Sequence, residues 1–270
     1  MALRSAIINV MTQAADKAAT RLIRDFGEVE QLQVSRKGPA DFVSSADKRA
    51  EGILRDALSH ARPEYGLLME ETGETRGSDP RHRWIVDPLD GTTNFLHGIP
   101  HFCISVALER DGEIVAGVIF DPLKNEMFWA ERGLGAYVND RRIRVSQRGR
   151  MADALFATGI PFLGIQDGAG HRKFLGQLGH VMAECSGVRR LGSAALDLAY
   201  VAAGRYDGYW ENGLNAWDVA AGILIVREAG GQVTDIAGRR YKLDAPDICA
   251  GNDLLHQPLR NLLRKGELPE

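Results

Sequence analysis

The chain has 270 residues, and its 33 Lys plus Arg against 36 Asp plus Glu give a formal net charge of −3. No basic field exists to make nucleic acid the main ligand, so small-molecule chemistry is favoured. The length is enough for one large core or for two lobes sharing an interface, and 44% hydrophobic with 26% charged residues is an ordinary soluble, globular composition.

Leu3, Ile7, Val10, Ala14, Ala18 and Leu22 recur every three to four residues and predict an amphipathic first helix ending near Gly27. A second helix is expected from Ser44 or Ser45, with Ala50, Ile53, Leu54, Ala57 and Leu58 as its buried stripe and Pro63 closing the segment. Short strands follow at Leu67 to Met69 and at Trp84 to Val86. CISVALER, then DG, then EIVAGVIFD reads as a hairpin turning at Asp111-Gly112, and NEMFWA as a further strand before a turn at Gly133 to Gly135. Beyond about Arg150, strand-like and helix-like segments alternate. That texture predicts an N-terminal α+β lobe over 1–150 and a C-terminal α/β lobe over 151–270, closely packed because no low-complexity linker separates them.

Cys103, Cys185 and Cys249 are odd in number and far apart, with no CxxC pair, and read as reduced core thiols. Asn9, Thr12, Gln13 and Asp16 interrupt any signal-peptide run, and no apolar stretch approaches membrane-spanning length, so cytoplasmic residence is expected.

The chemistry concentrates in WIVDPLDGTTNF, Trp84 to Phe95. An apolar strand delivers Asp87 and Asp90 into a core, where a carboxylate is costly unless a cation or a donor meets it. Pro88 stiffens the turn, Gly91 lets backbone N–H groups approach a ligand, and Thr92 and Thr93 add hydroxyl donors. A divalent metal beside a phosphate is the reading; the bland alternative is an Asx-turn in which the acids only cap backbone.

Glu70 and Glu71 end another apolar strand, and one of them could reach a shared metal, although alone the pair reads as solvated loop acids. Asp218 sits in the apolar helix NAWDVAAGILIVREAGG, where a buried acid wants a cation, with a capping box to Asn215 as the lesser alternative. For Asp47 the capping reading, with Ser44, is the stronger one, and Lys37 with Asp41 reads as a polar surface turn. His97 and His101 flank Gly98 and Pro100 and cannot share a helix face, which argues against zinc. Gly133 to Gly135 lacks a dinucleotide setting, and Ser193 in LGSAAL is a helix cap and not a nucleophile elbow.

KGPADFVSSAD, MEETGE, WIVDPLDGTTNF, LGSAALDLAYVAAGRYDGYWE and GLNAWDVAAGILIVREAGG together resemble the inositol monophosphatase family, in the same order and over nearly the whole chain, with a particular likeness to its bacterial SuhB-type members. The resemblance implies a layered αβαβα sandwich of the inositol monophosphatase and fructose-1,6-bisphosphatase type, a homodimer, and a magnesium-dependent, lithium-sensitive phosphomonoesterase using two or three ions. Carried over, Glu70, Asp87 and the Leu89 carbonyl resemble one ion's ligands and Asp87, Asp90 and Asp218 the second's, with Glu70 also serving a third through water. Asp47, Thr92 and Glu70 resemble the groups acting on the attacking water. Asp90, Gly91 and Thr92 resemble the phosphate side, and Gly192, Ser193, Ala194 and Glu211 the alcohol side. Met69 replaces a glycine common before the two glutamates and leaves the acids intact.

The implied reaction is hydrolysis of inositol monophosphate, or a similar polyol or sugar monophosphate, by a metal-activated water, without a covalent nucleophile. Fructose bisphosphate, nucleotide 3′-phosphate and histidinol phosphate are rival substrates within the same fold. A transcription antitermination partner is a rival of another class; the stretch ENGLNAW lacks the arginine-proline pair that the resemblance associates with that role.

Overall fold

The computed structural model describes residues 4–28, 34–38, 41–161 and 168–266, with backbone alone for 34–38 and 41–44. In chain order the first elements are α1 (Ala6–Phe26), β1 (Val34–Gly38), β2 (Asp41–Ser44), α2 (Ser45–Ala61), β3 (Tyr65–Met69), β4 (Gly73–Thr75), β5 (Asp79–Asp90) and α3 (Thr92–Leu96). A meander follows: β6 (Cys103–Arg110), β7 (Glu113–Asp121), β8 (Glu126–Glu131), β9 (Gly135–Val138) and β10 (Arg141–Ile143). The remainder is β11 (Leu155–Thr158), α4 (Gly168–Met182), β12 (Gly187–Arg189), α5 (Ala194–Ala202), β13 (Gly208–Asn212), α6 (Ala216–Glu228), β14 (Gln232–Thr234), β15 (Asp247–Gly251) and α7 (His256–Leu263).

Two large sheets organise these elements, one in the order β10-β9-β8-β7-β6-β5-β3-β4 and one in the order β12-β11-β13-β15-β14. Strand alternation explains how they stack, because successive side chains leave a strand on opposite faces. Trp84 and Val86 of β5 join a core with Ile8, Met11, Leu22, Leu54 and Leu58 of α1 and α2. Ile85, between them, joins a different core with Leu196 and Leu198 of α5, Ile225 of α6 and Tyr209 of β13. A third cluster places Val181 of α4 and Leu259 and Leu263 of α7 against Phe156, Trp210 and Cys249 on the far face of the smaller sheet. The layers are therefore α, β, α, β, α, with α5 and α6 sandwiched between sheets, which accounts for their being apolar on every side.

The structure departs from the sequence expectations in a few places. Strand β5 does not stop at Val86 but continues through Asp90, so both acids belong to the strand and not to a turn after it. Cys185 is half-buried, unlike Cys103 and Cys249. Leu3, the Pro39–Ala40 segment and the side chains of Lys37, Asp41 and Ser44 lie outside the described residues, so the capping box assigned to Ser44 and the turn assigned to Lys37 and Asp41 do too. Among the described residues, no helix is long and apolar enough to cross a membrane.

Candidate active site

The end of β5 is where geometry and chemistry meet. Asp87 has the parity of Ile85 and so faces the α5–α6 layer. Between Asp87 and Asp90 the pairing with β6 slips: Asp87 opposes Ser105 and Asp90 opposes Cys103. Three steps on one strand against two on the other form a bulge, which re-aims Asp90. Asp87 is 2% exposed, and its Oδ1 accepts the Leu89 N–H at 2.9 Å. The Asx-turn is thus realised, using one of the four oxygens of the two acids.

Helix α5 enters at the same point. Its N-cap Ser193 accepts the Leu196 N–H and donates its hydroxyl to Asp90 Oδ2 at 2.6 Å, while the Ala195 N–H donates to the same oxygen at 2.8 Å. Helix α6 brings Asp218 in its first turn, where Oδ2 accepts the Asn215 N–H at 2.7 Å. The capping box, ranked second on sequence, is therefore present and occupies one carboxylate oxygen. From β3, Glu70 arrives with its N–H bonded to the Val86 carbonyl at 3.3 Å. Its neighbour Glu71 turns its N–H to Glu51 Oε2 at 2.8 Å instead.

These four acids press on one another. Desolvation, then Glu70, Asp90 and Asp218, raise the Asp87 carboxyl well above the usual carboxylate range. Burial pushes Asp90 up to about 6 against the opposing hydrogen bonds from Ser193 and Ala195. Burial, with Asp90 next, raises Asp218 well above its ordinary value.

A cavity of about 390 Å³ opens over them, lined by Glu70, Asp90, Gly91, Thr92, Gly192, Ser193, Ala194, Glu211 and Asp218 of the sequence-derived set. Asp87, Leu89 and Asp47 are not among the residues that line it. The Thr92 hydroxyl is within hydrogen-bond distance of both Asp47 Oδ1, at 3.1 Å, and the Leu89 carbonyl, at 3.0 Å. Gly91 has φ +101°, and a Cβ there would stand 3.0 Å from the His101 carbonyl, so a side chain is excluded on two counts.

Several neighbours were not singled out on sequence. The buried Tyr209 hydroxyl donates to Glu211 Oε2, and burial pushes Glu211 up to about 7 despite that bond. A Cβ on Gly159 would fall 1.8 Å from Glu211 Oε1, so the glycine makes room for the carboxylate. Asn94 Nδ2 donates at 2.8 Å to the carbonyls of His101 and Leu191, tying the β5–β6 connection to the loop before α5. Arg190 and Asp197 also line the cavity. Asp197 had a legible signal, a lone acid within SAALDLAYVAA, and the reasoning applied to Asp218 extends to it. Gly159 had none, because nothing in ATGIP announces what approaches the glycine.

The inositol monophosphatase family model matches residues 3–266. An inositol-1-monophosphatase of Rhizobium meliloti is 58% identical over 262 residues, 97% of each chain. The Escherichia coli protein named Nus factor SuhB is 42% identical over 246 residues, 91% of each. The crystal structure of extragenic suppressor protein suhB from Bartonella henselae superimposes with a TM-score of 0.94 at 59% identity, covering 97% of this chain and 100% of that one. A five-layered fold with an acid-lined cavity and these matches define a phosphatase. The chain belongs to the inositol monophosphatase family.

Proposed function

We propose that this phosphatase is a magnesium-dependent phosphomonoesterase hydrolysing myo-inositol monophosphate, or a similar polyol or sugar monophosphate, to the free alcohol and phosphate. One observation carries the reading: Glu70, Asp90 and Asp218, from three separate elements, line one cavity above Asp87, whose electrostatic neighbours are those same three acids. Clustered carboxylates oppose one another's ionisation, and an all-oxygen set of this kind suits a hard divalent cation. Among the described residues, no three His, Cys, Asp or Glu side chains stand in finished ligand geometry. One oxygen of each of Asp87, Asp90 and Asp218 accepts a hydrogen bond, from Leu89, from Ser193 and Ala195, and from Asn215 respectively, which orients the carboxylates and leaves their second oxygens outside these bonds.

In this assignment Glu70, Asp87 and the Leu89 carbonyl would hold one ion and Asp87, Asp90 and Asp218 a second, and Glu70 would also serve a third. Magnesium bound there supplies Lewis-acid charge to the phosphoryl group and acidifies a water. Thr92, whose hydroxyl donates within reach of Asp47, and Asp47 would orient the attacking water, with Glu70 assigned to the same step; the Thr92–Asp47 contact supports this reading. Gly91 and Thr92 face the phosphate, while Gly192, Ser193, Ala194 and Glu211 receive the alcohol's hydroxyls, for which a carboxylate is a good acceptor. Phosphoryl transfer needs chiefly positioning and charge neutralisation, so no covalent nucleophile is assigned. Cytoplasmic residence, lithium sensitivity and a homodimer belong to the same reading.

A second reading, partnership in transcription antitermination, draws on the Escherichia coli relative's name; ENGLNAW, without an arginine-proline pair, weighs against it. The test of the first reading is a phosphate-release screen over inositol, sugar and nucleotide monophosphates, with magnesium and after chelation. Inositol 1-phosphate should rank first with magnesium and be inert without it; turnover that survives chelation would reject the metal assignment.

A further inference from the structure

Asp197 is a buried acid in the wall of the proposed substrate cavity, and among the described residues its Oδ1 has no hydrogen-bond partner. It lies in the first turn of α5, is 1% exposed, and lines the same cavity as Glu211 and Arg190. Its Oδ1 is fully buried and has no hydrogen-bond partner. Glu211, Asp90 and Arg190 act on it through space, and burial, the largest effect, lifts its carboxyl well above the ordinary carboxylate range. The rest of α5 is buried and apolar apart from the Tyr200 hydroxyl, so Asp197 is its one carboxyl group. A buried polar group left unpaired lowers stability, so a fold keeps one where something else is gained.

Position suggests what is gained. Ser193, four residues earlier on the same helix, is committed to Asp90. Glu211, on β13, is held by Tyr209. Asp197 is the acid of this wall whose buried Oδ1 has no hydrogen-bond partner among the described residues. A carboxylic acid both donates and accepts, as an alcohol hydroxyl does, and the two match.

We infer that Asp197 is a specificity-determining residue: its carboxyl group binds a hydroxyl of the leaving alcohol, beside Glu211, and so favours polyhydroxylated phosphate esters over esters lacking hydroxyls. This rests on the polyol phosphatase reading above. The chemistry at phosphorus is not altered by it; Asp197 sets the preference of the cavity between leaving groups.

The test compares kcat/KM for inositol 1-phosphate with that for p-nitrophenyl phosphate, whose leaving group offers no aliphatic hydroxyl, in wild type, Asp197→Leu and Asp197→Asn. The ratio of the two should fall about tenfold in Asp197→Leu, the effect of one lost hydrogen bond. It should return to within about threefold of wild type in Asp197→Asn, whose amide also donates and accepts. The loss should lie in KM, and the melting temperature of Asp197→Leu should not drop, since the buried Oδ1 has no hydrogen-bond partner among the described residues to lose. An unchanged ratio, an equal fall for both substrates, or an Asp197→Asn ratio as low as that of Asp197→Leu would overturn the inference. Failure of the parent reading shows separately, as wild-type enzyme releasing no phosphate from inositol 1-phosphate, and it takes this inference down with it.

Discussion

His101, whose carbonyl lies against Gly91, is 7% exposed and edge-on to Tyr200, and its Nε2 has no hydrogen-bond partner among the described residues. Burial, aided by Lys124 and opposed by Asp121, pulls it from 6.5 to about 4. Between those values the unfolded chain holds a proton that the folded chain refuses. His101 therefore contributes stability in full above about pH 6.5 and loses it as pH falls towards 4, by at most ~3 kcal/mol. His256 is shifted in the same direction by burial. Urea unfolding across pH 7 to 4 should show His101→Phe losing less stability than wild type; parallel curves would refute the assignment. At this scale, legibility followed charge in an apolar setting. Asp87, Asp90 and Asp218 stood out because carboxylates in buried segments need a reason. What remained hidden was geometric: the glycine that clears space for Glu211, the tyrosine that holds it, and the capping role that Asp218 plays with one oxygen.

Helices α5 and α6 carry Ser193 and Asp218, and their mutual approach sets the cavity. They meet at Gly222, where a Cβ would stand 2.5 Å from Leu198 Cδ1 and 2.6 Å from Leu198 Cβ. Alanine gains about 1 kcal/mol of helix propensity over glycine, whereas overpacking costs typically 1–3 kcal/mol, and here the obstacle includes a Cβ that cannot swing away. Gly222→Ala should lower stability by about 1–2 kcal/mol and reduce turnover with it. Gly52→Ala in α2, with nothing within 4 Å of the added carbon, should raise stability by about 0.5–1 kcal/mol. Denaturant midpoints decide; equal signs for the two would mean that the α5–α6 contact is looser than it stands. Periodicity made the long helices legible, and Asp111 and Gly112, with φ of 52° and 74°, form the expected hairpin turn. The full extent of β5 and its bulge were not legible, since register depends on β6, a partner the local sequence does not reveal. Nor was the Glu228 carboxylate, which accepts the N–H groups of Gly133 and Gly135 at 2.8 Å each and pins the β8–β9 turn from α6.

Across the whole molecule, β3 to β10 form the eight-stranded sheet and β11 to β15 the five-stranded one, and we propose that the boundary expected near residue 150 lies between them. We propose that the two lobes nevertheless unfold as one. Ile85, Ile119 and Phe128 of the first share a core with Leu196, Tyr209 and Ile225 of the second, so neither sheet keeps its inner face covered alone. Far-ultraviolet dichroism and tryptophan fluorescence should report a single coincident urea transition; two separated transitions would contradict the expected close packing of the lobes. In the proposed assignment function depends on the same union, because Glu70, Asp87 and Asp90 come from the segment that forms the eight-stranded sheet and Asp218 from the segment that forms the five-stranded one. The most direct test is magnesium-dependent phosphate release from inositol 1-phosphate by wild type and Asp218→Asn. The variant should remain folded, with its amide able to accept the Asn215 N–H, yet lose on the order of 10²-fold or more in kcat/KM and need more magnesium for half-maximal rate. Wild-type turnover and an unaltered magnesium dependence in that variant would contradict the account.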